Sequence, residues 1–169
     1  DDALLLPVMS PIKSFTYWVK VDSQSPNMLA GKSVFLVDTR IGSTNGFLAS
    51  TVMTGSSSWR GMYVNEVYTT NVWWGALAYD TWLFVHMEMS RDDITDDITF
   101  MSRNIAGDPS ASEDSRLKGI LGEIYVWSAY LTEWEVGVVR GGFDQHAPEG
   151  YLLAVYSMEE GEGGTTRDI

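Results

Sequence analysis

Apolar and polar positions alternate with a period of two along most of this chain. In "SFTYWVKVD" (14–22), Phe15, Tyr17, Val19 and Val21 share one face, and Thr16, Trp18, Lys20 and Asp22 share the other. "TWLFVHMEM" (81–89) repeats the pattern, with Leu83, Val85, Met87 and Met89 opposite Trp82, Phe84, His86 and Glu88. Such alternation predicts strands, because successive side chains leave a pleated backbone on opposite sides. "SVFLVDT" (33–39), "FLASTVM" (47–53), "ITFMSR" (98–103), "KGILGEIYVWS" (118–128) and the tail, 151–158, read as further strands. Turn-forming stretches separate them: "SQSPNMLAGK", "RIGSTNG" with its Asn45-Gly46 pair, "SRDDITDD" and "NIAGDPSASEDSR". The segments around Trp59 to Ala78 are aromatic and β-branched. One helix is predicted. Thr132 and Glu135 form a Thr-x-x-Glu capping box that opens a helix over about 133–139, and Gly141-Gly142 stop it.

Many short strands with one short helix predict an all-β fold, a two-sheet antiparallel jelly-roll sandwich built as one domain over residues 1–169. Two packed sheets also account for strands that carry large apolar groups on both faces.

The order of segments resembles the laminin-G-like, concanavalin A-like jelly-roll domains. "SFTYWVKVD" is similar to that family's early Trp-Val-Lys strand, and "YDTWLFVHMEM" to its central strand, entered through an Asp/Asn-Thr-Trp turn. "LKGILGEIYVWSAYLTEWEVGVV" resembles its strand-plus-capped-helix segment at Glu123, Ile124, Val126, Trp127, Leu131, Thr132, Glu135 and Val136. The family's opening strand is missing from the start of this chain. A similar stretch stands at the end, "LLAVYSMEEGEGGTTRD". The resemblance therefore implies that 151–158 fills the family's first-strand place, by circular permutation, or that the chain is cut from a tandem array. The expectation is that this strand pairs within the domain.

Composition narrows the chemistry. The chain has 169 residues, enough to bury roughly 70% of its unfolded surface without a staple. It has no Cys, which excludes disulfides, thiolate zinc and thiol nucleophiles. A net charge of −12 repels phosphate backbones, so nucleic acid is not an expected partner. No apolar run approaches the ~20 residues of a membrane helix, so membrane insertion is not expected either. The chain opens on Asp1, and "DDALLLP" reads as a mature end left by processing, which points to an extracellular or extracytoplasmic setting, secreted or lumenal.

Candidate sites are few. Glucanases on this jelly roll carry Glu-x-Asp-x-x-Glu on one strand; here "GEIYVWS" offers Glu123 alone. No Gly-x-Ser-x-Gly elbow accompanies His86 or His146, so a hydrolase ranks third among the functions. Asp92, Asp93, Asp96 and Asp97 are candidate calcium ligands, since the resemblance implies rim calcium, but the run lacks a recognised loop spacing and reads first as a solvated turn joining two strands. Calcium is the one cofactor considered. Seven Trp and eight Tyr exceed what a core of this size needs, so an exposed aromatic patch is expected. Trp59, Trp73, Trp74 and Tyr79 are its candidate residues. The expected function is that of a non-catalytic binding or structural interaction module acting by protein–protein contact in a larger assembly. The alternative is a lectin-like, carbohydrate-binding module with a glycan partner.

Overall fold

A computed structural model describes residues 4–6, 9, 11–30, 35–38, 47–49, 59–65, 67–69, 78–89, 98–101, 117–142 and 148–157. Its central strand is β2 (Ser14–Val21), where the predicted alternation holds: Phe15, Tyr17, Val19 and Val21 are fully buried in one cluster. β2 pairs antiparallel on one side with β7 (Leu83–Met89) and on the other with β9 (Gly119–Trp127). β7 is continued by β5 (Trp59–Val64), which turns into β6 (Val67–Thr69). β9 is flanked by the tail strand β10 (Leu152–Tyr156). The result is one six-stranded antiparallel sheet in the order β10-β9-β2-β7-β5-β6.

Four shorter strands make a second antiparallel sheet, ordered β1-β8-β3-β4: β1 (Leu4–Leu6), β8 (Ile98–Phe100), β3 (Phe35–Asp38) and β4 (Phe47–Ala49). The two sheets meet through one hydrophobic core. Leu6, Leu36, Val37, Ile98 and Phe100 of the smaller sheet join Phe15, Tyr17, Val85, Met87, Ile124 and Val126 of the larger. Phe100 stands edge-on to both Phe15 (6.0 Å) and Tyr17 (5.2 Å), the geometry that ring quadrupoles favour. The Tyr17 hydroxyl, sunk in this contact, donates to Met87 Sδ at 2.9 Å. Burial drives its acidity far down, so it stays protonated.

The architecture is thus mostly β, and the helix stands where the capping box put it. α2 runs Glu133–Arg140, with α1 (Pro26–Leu29) a single turn earlier in the chain. Thr132 Oγ1 accepts from the Glu135 backbone N–H, and the Glu135 carboxylate accepts from the Thr132 N–H at 2.7 Å. Glu133 and Glu135 sit in the first turn and Arg140 in the last, each matched to the helix dipole. Gly141 caps the end, and Gly142 takes a φ of +108° that few other residues tolerate.

Three details depart from the sequence expectation. Pro26–Leu29, inside a stretch read as loop, forms a turn of helix, with Pro at its first position where its missing N–H costs nothing. Leu4–Leu6, read only as a chain end, pairs with Ile98–Phe100. A bulge also interrupts β9. Tyr17 faces Ile124 while Val19 faces Leu121, so β9 carries one residue more than β2 between these pairs.

Candidate functional site

The six-stranded sheet has a second face, turned away from the core. Thr16 and Trp18 on β2, Phe84, His86 and Glu88 on β7, and Tyr125 and Trp127 on β9 project there, as the alternation requires. α2 covers one half of it. Leu131, Val136 and Val139 close over Phe84, Tyr125 and Trp127 in a second hydrophobic cluster.

A buried polar network fixes this covered half. Trp127 Nε1–H donates to Thr16 Oγ1 at 2.8 Å, and Thr16 Oγ1 lies 2.9 Å from His86 Nδ1. His86 is fully buried, and burial pulls its pKa down to about 3, so the ring is neutral at physiological pH. Its Nε2 has no hydrogen-bond partner among the described residues. A neutral, inaccessible imidazole bonded across the strands to Thr16 is built to hold them in register. Beside it, Glu88 is buried and faces Arg60 at 3.7 Å; burial raises its carboxyl above the usual range, and Arg60 partly opposes this. Arg60 also lies over the Tyr130 ring, 4.8 Å from its centre, while the Tyr130 hydroxyl donates to the Met89 carbonyl at 2.7 Å.

The other half of the face is open. Trp18 packs on Phe84, with centroids 5.1 Å apart, and is half-buried. Trp82, just ahead of β7, is 44% exposed. Gly122 lies between them: a Cβ there would stand 2.9 Å from Trp18 Cβ and 3.6 Å from the Trp82 ring. A side chain there would press on the stem of Trp18 and touch the Trp82 ring. The bulge turns Glu123 to the same side, where its carboxylate accepts a 2.6 Å hydrogen bond from the Tyr125 hydroxyl. Burial, then the bond to Glu123, hold the Tyr125 proton in place. Across the sheet, Tyr63 and Tyr68 pair at 4.8 Å, and Tyr68 is 44% exposed.

Exposed aromatics therefore occur among the described residues, at Trp82 and Tyr68, neither of which was among the expected ones. Tyr79 is half-buried and packs against the core cluster, so it does not join Trp82. Trp59 lies in β5 opposite Met89 by its backbone. Trp73, Trp74, His146 and the run Asp92, Asp93, Asp96 and Asp97 lie outside the described residues. No group of three or more His, Asp or Glu side chains placed to hold a metal occurs among the described residues. At the sheet rim, Asp22 forms a 2.7 Å ion pair with Lys118, and Asp80 accepts from the Ser23 backbone at 3.1 Å; both carboxyls are lowered, chiefly by these hydrogen bonds.

No family model matches the chain, and searches of curated proteins and of solved structures give no match either. No helix among the described residues is long and apolar enough to cross a membrane.

Proposed function

We propose that this chain is a non-catalytic binding or interaction module on a laminin-G-like, concanavalin A-like jelly-roll sandwich. It acts by protein–protein contact within a larger extracytoplasmic assembly. One observation carries this: Trp82 and Tyr68 stand open on a sheet face whose covered half already satisfies its own packing. Large aromatics exposed on a rigid sheet are the residues that anchor interfaces. Among the described residues, the buried His86 serves structure, bonded to Thr16 and held neutral.

A glycan is the second reading. It is supported by the exposed indole of Trp82 near Gly122, and by the Glu123 carboxylate and Tyr125 hydroxyl on the same strand as that glycine, since sugars take both stacking and hydrogen bonds. The test is a photo-crosslinking amino acid at position 68 in the organism that makes the chain, with a glycan array run in parallel. Cross-links to a defined polypeptide, and no array signal that depends on Trp82, are expected. Array signals abolished by Trp82→Ala would replace the first reading with the second. Sugar release from a polysaccharide by the chain would overturn both.

A further inference from the structure

The helix over the second face has a small seat. α2 docks through Val136 and Val139, with Leu131 just ahead of it, onto Phe84, Tyr125 and Trp127. Its leading end is pinned: the Tyr130 hydroxyl donates to the Met89 carbonyl, and Lys13 and Arg60 lie over the Tyr130 ring at 5.6 and 4.8 Å. Its far end runs into Gly141 and Gly142. Eight residues do not hold a helix in water by themselves, so α2 keeps its shape only while docked. The core face is closed by a whole second sheet instead. α2 is therefore an element that can leave without the core.

Among the residues it covers stands a group that water would change. His86 faces Thr16 on β2 and Tyr63 on β5, and Thr16 in turn faces Tyr125 on β9. The Thr16 oxygen already accepts from Trp127 Nε1–H, so its own hydrogen goes to His86 Nδ1. Nδ1 is then an acceptor, and the ring hydrogen sits on Nε2. An imidazolium has no acceptor nitrogen, so a second proton breaks the Trp127–Thr16–His86 chain at its last link. Burial keeps that proton out. We infer that α2 is an acid-released lid: it lifts about its Tyr130 pin, lets water and a proton reach His86, and uncovers the aromatic platform of Phe84, Tyr125 and Trp127.

Other titratable and charged groups surround His86. Glu88 and Arg60 stand beside it on β7 and β5; the Glu88 carboxyl, raised by burial, favours the closed lid as pH falls and so opposes His86. Tyr63 and Tyr125 are pushed upward, chiefly by burial, and stay protonated in acid, with Glu123 accepting from Tyr125. On α2 itself, Glu133 acts on Tyr63 and Glu135 closes the cap.

Amide hydrogen exchange of the full chain from pH 7 to 4, corrected for the intrinsic rate at each pH, tests the lid. The α2 amides and the Trp127 indole N–H are expected to exchange through an opening at least about tenfold more populated than the one that frees the β2 amides. In Glu88→Gln, where no carboxylate opposes, that opening should grow about tenfold for each unit below about pH 6.5, and less steeply in the unaltered chain. His86→Leu should remove the growth. Glu135→Gln, which keeps an acceptor for the cap but cannot titrate, should leave it in place. Equal protection of α2 and β2, an α2 opening indifferent to pH in Glu88→Gln, growth that survives His86→Leu, or growth that vanishes in Glu135→Gln overturns the inference. The comparison of α2 with β2 needs no variant, so it decides the matter even where a substitution prevents folding.

Discussion

The two faces of the six-stranded sheet are made by the same strands and solve opposite problems. The core face is filled by aliphatic, Met and aromatic side chains with almost no polar atoms, and a second sheet closes it. The other face carries Thr16, His86, Glu88, Glu123 and the rings of Trp18, Tyr63, Phe84, Tyr125 and Trp127, and α2, eight residues long, covers part of it. On the first face stability comes from area removed from water. On the second it depends on hydrogen bonds being satisfied and on which rings stay open.

The difference can be tested by substitutions ordered by their expected cost. Phe15→Ala empties the centre of the core face, where the ring meets Phe100, and should cost about 3–5 kcal/mol in urea unfolding. A comparably small loss on both faces would show that the faces are not distinct.

Acid comes next, and it acts through the second face. The His86 pKa is held at about 3 in the folded chain, against 6.5 ordinarily, so the unfolded chain takes up the proton first. Stability is therefore full above pH 6.5 and is lost as pH falls toward 3. At pH 4.5 the loss is about 2–3 kcal/mol. Glu88 works the other way: its raised value means that its burial penalty is relieved as pH falls. His86→Leu should flatten the acid limb of a stability–pH profile, and Glu88→Gln should steepen it. An unchanged slope in His86→Leu would contradict the burial described here.

Thr16→Val keeps the shape of its side chain but removes the partner shared by Trp127 Nε1 and His86 Nδ1. About 2 kcal/mol should be lost, seen as a lower midpoint of denaturation. Thr132→Ala removes the cap of α2 and should cost about 1 kcal/mol, with the Trp127 fluorescence environment changing as the helix loosens. Trp82→Ala is the smallest of the set. It should shift stability by less than about 0.5 kcal/mol while weakening the proposed contact, read as loss of the cross-link at position 68.

Much of this contrast is legible in the sequence. Alternation over 14–22 and 81–89 assigns each residue to its face, and Thr132 with Glu135 places the helix. The strand at 151–158 corresponds to Leu152–Tyr156, which pairs with β9 at the sheet edge. Which aromatics come together is not legible. Trp18 and Trp82 reach the same place beside Gly122 through the pairing of β2 with β7, which only the sheet supplies, and Trp73 and Trp74 lie outside the described residues. The signal was present in weaker form: both tryptophans fall on the non-core side of their strands. The β5–β6 turn shows the same limit. Asn65 takes a φ of +46°, and its side-chain oxygen accepts from the Phe84 N–H at 3.0 Å, a contact with a strand almost twenty positions on.

The bulge in β9 works like a frameshift in the pleat. Counting back in twos from Trp127 through Tyr125 and Glu123 would send Leu121 to solvent, yet Leu121 packs on the core. The extra residue resets the count, so the strand is written in two phases joined near Gly122. Deleting that one glycine would remove the extra residue and leave the pleat regular: Glu123 would stand opposite Trp18, and Leu121 would keep its place on the core side opposite Val19. A single-codon deletion at Gly122 should therefore be better tolerated than one at Tyr125, which would turn Ile124 outward and Glu123 into the core.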